Sequence, residues 1–153
     1  MRDSALARAR GRAADRAAWA TLRAQLWPEQ PLAELAADLD GWFEDARLAA
    51  FIAEDGEGVC GFAEASLRSD YVNGTESSPV AFLEGWYVAP SHRGRGVGRA
   101  LVATVEAWGR ERGCRELASD ALLDNLDSHR AHAACGFEET ERVVYFRRRL
   151  DAQ

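Results

Sequence analysis

Apolar residues along this chain change their period several times, and each change marks an element. Residues 5–10, Ala5 to Arg10, alternate small apolar and basic side chains, which predicts a short first strand. Asp15 stands where it can cap a helix with Ala18, Trp19, Leu22 and Leu26 on one face, and Pro28 ends that helix. Pro31 predicts the start of a second helix, along which Leu32, Leu35, Ala36, Leu39, Trp42 and Phe43 recur at helical spacing. LAAFIAED, from Leu48, reads as a strand, and the turn Asp55-Gly56-Glu57-Gly58 joins it to GVCGFAEASLR as a hairpin. Residues 69–79 form a polar loop with Asn73-Gly74 turn chemistry. The apolar run VAFLEGWYVAP predicts a strand ending at Pro90. SHRGRGVGR then opens a helix with Val97, Leu101, Val105 and Trp108 on one face, ending near Gly113. A short strand over 114–119, a loop DALLDN and a helix over 127–134 follow, with Gly136 as its left-handed cap. FEETERVVYFRRRL predicts a last long strand. The order β-αα-βββ-α-β-α-β implies a mixed α/β sheet with helices on its faces.

Length adds that the 153 residues suit a single domain spanning 1–153, with no repeat and no linker. No stretch approaches the roughly 20 apolar residues of a membrane helix. The start, MRDSALARARGRAADR, lacks the apolar centre of a signal peptide, so no membrane association and a cytoplasmic location are expected. Cys60, Cys114 and Cys135 form no CxxC pair and no zinc spacing, and read as reduced thiols. The net charge of −6 opposes binding to phosphate polymers, so no nucleic-acid partner is expected. It does not oppose a cationic small molecule.

Candidate chemistry concentrates in WYVAPSHRGRGVGR, residues 86–99. A strand runs through a glycine-rich turn into a helix, whose first N–H groups form an anion site, and Arg93, Arg95 and Arg99 add charge. A nucleotide P-loop would need Gly-Lys-Ser/Thr, which is missing. A dinucleotide fingerprint would place its glycines after the first strand, whereas here they follow the fourth and Arg99 stands at the third glycine position. The spacing of Val88, Pro90, Arg93, Gly96, Gly98 and Leu101 resembles the acetyl-CoA motif of the GNAT N-acetyltransferases. Asn125, the helix after it and Gly136-Phe137 extend that resemblance over nearly the whole chain. Trp27 in LRAQLWP, DYVNGTESSPVAFLEGWYV, ASDALLDN and GFEETERVVYFRRRL are similar to the aminoglycoside 6′-N-acetyltransferases.

The resemblance implies a GNAT fold of six to seven strands and about four helices, splayed at a bulge near Gly85. It implies acetyl-CoA as co-substrate and no metal. Backbone groups of Trp86, Tyr87 and Val88 would pair with the pantetheine arm, and the Val88 N–H would polarise the thioester carbonyl. Arg93, Gly94, Arg95, Gly96, Val97, Gly98 and Arg99 would cradle the pyrophosphate, and Asn125 would bond the arm. Trp27, Tyr71, Glu84, Asp120 and Glu141 match positions lining an aminoglycoside site. Those types suit a polycation, since carboxylates hold ammonium groups and aromatic faces cover sugar rings. A homodimer through the last strands is expected by the same likeness.

Glu84 stands out among these residues because it interrupts an apolar strand, on the face expected to carry Phe82 and Trp86. It is the candidate base or amine-positioning group for direct attack in a ternary complex. Many relatives place a Tyr where this chain has His132; that imidazole can donate a proton to the departing thiolate or be an ordinary helix residue. Another amine acceptor (a polyamine, a protein lysine or an N-terminus) and a non-catalytic acetyl-CoA-binding module are the competing readings.

Overall fold

The computed structural model describes residues 6–8 and 10–151. Its elements run β1 (Leu6–Arg8), α1 (Arg16–Leu26), α2 (Leu32–Ala37), α3 (Leu39–Glu44), β2 (Leu48–Asp55), β3 (Gly58–Arg68), β4 (Val80–Val88), α4 (Val97–Glu111), β5 (Leu117–Ser119) and α5 (Leu126–Ala134). Short 3-10 turns precede α1 and follow β4. One compact unit extends to Asp120 and a second begins at Ala121. No helix among the described residues is long and apolar enough to cross a membrane.

The first unit holds a five-stranded sheet in the order β1-β2-β3-β4-β5. β1 to β4 pair antiparallel, and β5 joins β4 in parallel. The expected first strand is described only over Leu6–Arg8; its remaining positions 5 and 9 lie outside the described residues. The hairpin predicted from Asp55-Gly56-Glu57-Gly58 forms, with Asp55 opposite Gly58. On one face α1 and α3 bury Trp19, Leu22 and Leu39 against Ala50, Ile52 and Phe62. On the other face Val97, Leu101, Val105 and Trp108 of α4 are buried, as their spacing predicted. Each large apolar side chain so buried contributes roughly 1.5–3 kcal/mol.

Several expectations need correction. Ala18 is exposed and Ala20 takes its place in the core. Asp15 does not cap α1 through its side chain; its Oδ2 turns back to accept the Arg12 N–H at 2.9 Å. The single helix expected after Pro31 is two, divided at Asp38, which lets Leu35 and Leu39 both reach the core while Leu32 and Phe43 stay exposed. The strand expected over 114–119 forms only at Leu117–Ser119. The described sheet therefore has five strands rather than six or seven, beside five α-helices.

The last strand does not form, and residues 137–149 carry no regular structure. β propensity expresses fit to a neighbouring strand, and among the described residues none pairs with this segment. Val144, Tyr145, Phe146 and Leu150 are exposed, Phe146 at 91%.

Candidate active site

Register alone locates a fork in the sheet. Ala65 lies opposite Leu83, but the next pair is Glu64 with Gly85, so Glu84 has no opposite number and is the bulged residue. The parallel ladder of β4 with β5 ends at Leu83 and Ser119. Glu84 on β4 and Asp120 immediately after β5 are thus the first residues beyond the last shared pair. Past that point the outer edge of β4 has no strand partner among the described residues. The Ala89 N–H donates to the Cys60 carbonyl at 2.7 Å. Antiparallel alternation then turns the backbone groups of Trp86 and Val88 to the open edge and those of Tyr87 toward β3. Two of the three expected backbones therefore face the opening.

The bulge also changes the faces. Glu84 shares the α1 face with Phe82, but the extra residue sends Trp86 to the opposite face. Its indole Nε1 there donates to the Gly98 carbonyl at 3.2 Å. Tyr87 packs on the α1 side, 6.5 Å from the Phe62 ring. The expectation that Glu84 and Trp86 share a face fails because simple alternation cannot register a bulge.

The turn between β4 and α4 is shaped for an anion. Gly94 and Gly96 have φ of +76° and +83°, a left-handed conformation that side chains disfavour. A Cβ on Gly98 would lie 3.3 Å from the Trp86 ring, so glycine permits the close approach. The first N–H groups of α4 lack intrahelical acceptors. Val97 is buried beneath the turn, while Arg93, Arg95 and Arg99 are exposed around it. Arg93 Nε donates to the Val88 carbonyl at 2.9 Å, which ties the loop to the open edge. His92 anchors it from below: Nε2 meets Asp55 Oδ2 at 2.6 Å and Nδ1 meets Ser91 Oγ at 2.8 Å. The first of these bonds, with the Glu57 N–H, holds the Asp55 carboxyl below its usual value. Asp55, Glu57 and His92 each bring one donor atom within 4.8 Å of the others. With both His92 nitrogens already engaged, the group acts as a clamp between hairpin turn and loop.

The opposite side of the fork carries the acceptor candidates. The Trp27 ring lies directly on Gly85, where an added Cβ would meet its Cη2 at 2.8 Å. Tyr71 projects from the loop over 69–79 and lines a cavity of about 480 Å³ with Arg47, Arg68 and Asp70. That loop is held by Val72, buried with Val80 and Phe82, and by Glu116, which accepts from the Glu76 N–H at 2.9 Å and from the Ser77 hydroxyl. Those bonds keep the Glu116 carboxyl below its usual value. Asp120 is exposed at the fork. Glu84 is half-buried and not alone: its Oε2 accepts from Ser66 Oγ at 2.5 Å and from Arg68 Nη2 at 2.7 Å.

Sequence reasoning missed a second carboxylate, Glu64, which is fully buried beneath the bulge. Arg23 grips it with two bonds, Nε to Oε2 at 2.8 Å and Nη2 to Oε1 at 3.0 Å, and the Trp19 indole donates to Oε2 at 2.7 Å. Burial pushes the Glu64 carboxyl up, and the bonds from Arg23 and Trp19 pull against that shift. The signal was available, since Glu64 interrupts CGFAEASL much as Glu84 interrupts VAFLEGWYV.

Three site candidates belong to the second unit. Asn125 caps α5, its side chain accepting the Ser128 N–H at 3.2 Å. His132 Nδ1 lies 2.7 Å from the Ser128 carbonyl, so that nitrogen carries a donated proton, and its ring meets Phe137 edge-on at 5.0 Å. Glu141 is exposed.

The sequence pattern of the Acetyltransferase (GNAT) family matches residues 13–137. The chain belongs to that family. This acetyltransferase is 62% identical over 142 residues to an aminoglycoside N(6′)-acetyltransferase type 1 of Stenotrophomonas maltophilia, covering 90% of each chain. A second relative of that name, from Salmonella typhimurium, is 51% identical over 131 residues, covering 86% of this chain and 90% of its own. Among solved structures, the aminoglycoside N-acetyltransferase AAC(6′)-Iy in complex with CoA superposes with a TM-score of 0.92 at 46% identity, covering 97% of both chains. The same enzyme with the bisubstrate analogue CoA-S-monomethyl-acetylneamine superposes with a TM-score of 0.89 at 47% identity, covering 95% of this chain and 98% of that one.

An acetyltransferase can pass its acyl group through a cysteine or directly. In this one burial pushes the Cys60 thiol up to about 11, and the Cys114 thiol is raised by burial too. Neither is a thiolate at neutral pH, so neither is an activated nucleophile.

Proposed function

We propose that this acetyltransferase is an aminoglycoside 6′-N-acetyltransferase, moving acetyl from acetyl-CoA to the 6′-amine by direct attack in a ternary complex and thereby conferring resistance. The observation that carries the reading is the fork, where an open backbone edge and an anion-shaped turn meet Glu84 and Asp120, beside Trp27. The relatives' names agree with it.

In this reading the outward groups of Trp86 and Val88 bind the pantetheine arm, and the Val88 N–H stabilises the oxyanion that forms on the thioester carbonyl. The turn from Arg93 to Arg99 holds the pyrophosphate, with Trp86 packed against it. Glu84 and Asp120 hold ammonium groups of the acceptor, and Glu84 accepts a hydrogen bond from the amine and removes its proton directly or through water. Trp27 and Tyr71 cover sugar rings. Asn125 supports the arm, Glu141 adds acceptor charge, and His132 donates to the thiolate only as imidazolium, because neutral His132 keeps its proton on Nδ1 toward Ser128.

The match from 13 to 137 runs across both compact units, which supports one catalytic domain over the chain. The exposed apolar tail favours a homodimer, in which a second copy supplies the strand partner that 137–150 lacks among the described residues. The use of acetyl-CoA and the buried, reduced thiols of Cys60 and Cys114 support a cytoplasmic location.

The test is CoA release by purified protein with kanamycin, tobramycin, paromomycin, spermidine and a lysine peptide. Paromomycin carries a hydroxyl in place of the 6′-amine. Turnover with kanamycin and tobramycin and none with paromomycin supports the reading; turnover with the peptide alone overturns it.

A further inference from the structure

Glu84 has two carboxylate oxygens, and this fold treats them differently. Oε2 takes Ser66 Oγ at 2.5 Å, Arg68 Nη2 at 2.7 Å and Arg68 Nε at 3.2 Å. Oε1 has no partner among the described residues. Guanidinium and carboxylate ordinarily meet fork to fork, one N–H on each oxygen. Arg23 does that with Glu64, on the same face of the same sheet. Arg68 instead places two N–H groups, from Nε and Nη2, on one oxygen.

Its surroundings explain that choice. The Arg68 guanidinium lies 3.6 Å above the centroid of the Phe82 ring, close enough for cation–π attraction. Phe82 is itself fixed in a small core with Val72 and Val80. Ser66, buried beside it, takes the same oxygen from the sheet side. The cation is thus set by the sheet and its core rather than by the carboxylate.

We propose that Arg68 and Ser66 are positioning residues that pin Glu84 through Oε2 and so reserve Oε1 for the acceptor amine. The inference rests on the reading of Glu84 as the residue that meets that amine, and it adds the device that aims it. A guanidinium that merely neutralised Glu84, or stood in for an absent ammonium, would be free to take both oxygens. Arg68 helps to line the Tyr71 cavity, so the pinning group sits at the acceptor's wall.

The test is a double-mutant cycle on the full-length enzyme, reading kcat and KM for kanamycin, KM for acetyl-CoA, and Tm. R68A is expected to lower kcat/KM for kanamycin about ten- to a hundredfold, as a misplaced catalytic group does, with KM for acetyl-CoA held within about twofold. R68K keeps the charge and is expected to recover part of the loss. In the E84Q background R68A is expected to change activity by less than about twofold, because its effect runs through Glu84. S66A removes one hydroxyl, is expected to lower kcat/KM by several-fold, about three to ten, and carries the test if R68A fails to fold. Wild-type kinetics in R68A and S66A, a lower kanamycin KM in R68A, or equal losses with and without Glu84 would overturn the proposal. An active E84Q removes the reading of Glu84 and this inference with it. An inactive E84Q beside an unaltered R68A removes the inference alone.

Discussion

The pair Arg23–Glu64 and the pair Arg68–Glu84 lie on one face of the sheet at the bulge in β4, and they differ in burial and in how the carboxylate is held. Glu64 and Arg23 have side chains exposed by 1% and 7%, whereas Glu84 and Arg68 are exposed by 29% and 42%. Both oxygens of Glu64 are bonded within the protein; among the described residues only one of Glu84's is. A buried carboxylate with every oxygen satisfied ties elements together, here α1 to β3, and has nothing left for a ligand. A half-buried carboxylate with one oxygen kept open at the fork can serve the acceptor. The two positions look alike in sequence, and their packing separates structure from chemistry.

The largest effect is expected on the buried side. Glu64→Ala leaves the Arg23 guanidinium and the Trp19 indole without their acceptor and should lower stability by about 3–5 kcal/mol, read as urea midpoint or Tm. Arg23→Met combined with Glu64→Leu, which removes both charges, should recover most of that loss; a double variant as unstable as Glu64→Ala would mean that the pair is needed as an ion pair. On the open side the order of effects reverses. Glu84→Gln should lower kcat by about a hundredfold or more, while its stability moves by less than about 1 kcal/mol, as for an exposed ion pair. Acetyl-CoA binding, read by calorimetry, should be unchanged.

Gly85 lies between the two pairs. An alanine there would press on Trp27 at 2.8 Å and approach Glu64 Oε1 at 3.4 Å. Gly85→Ala should lower stability by about 1–3 kcal/mol, as overpacking does, and raise KM for the aminoglycoside more than KM for acetyl-CoA. Equal rises in the two KM values would separate Trp27 from the acceptor site.

The smallest effect belongs to a third pair, His92–Asp55, at the coenzyme turn. Because the Asp55 carboxyl is held below 3.8, its stabilisation is fully present above that pH and is lost as pH falls through the lowered value. Asp55→Asn should flatten the acid-side fall of Tm below about pH 4. An unchanged acid slope would show that the His92 clamp is not felt by the fold.

Local signals made much of the site legible. The hairpin at 55–58, strand β4 and the turn into α4 follow from glycine placement and alternation, and the arginines surround that turn as their spacing implied. The faces of Glu84 and Trp86 were not legible, because one bulged residue shifts the phase of everything after it. Glu64 escaped notice because its partner Arg23 lies 41 residues away on a helix, and a charge read by itself has no visible counter-ion. Arg68 and Ser66 were passed over for the opposite reason: they look like an ordinary polar strand end until their common oxygen is seen. The final strand was misread because FEETERVVYFRRRL has strand chemistry but no strand beside it among the described residues.

The most direct measurement is the regiochemistry of the product, by NMR of kanamycin after turnover with acetyl-CoA. An acetyl group on the 6′ nitrogen, formed more slowly by about a hundredfold or more when Glu84 is replaced by Gln, is the predicted result. Acetylation at another amine, or at none, would contradict the account.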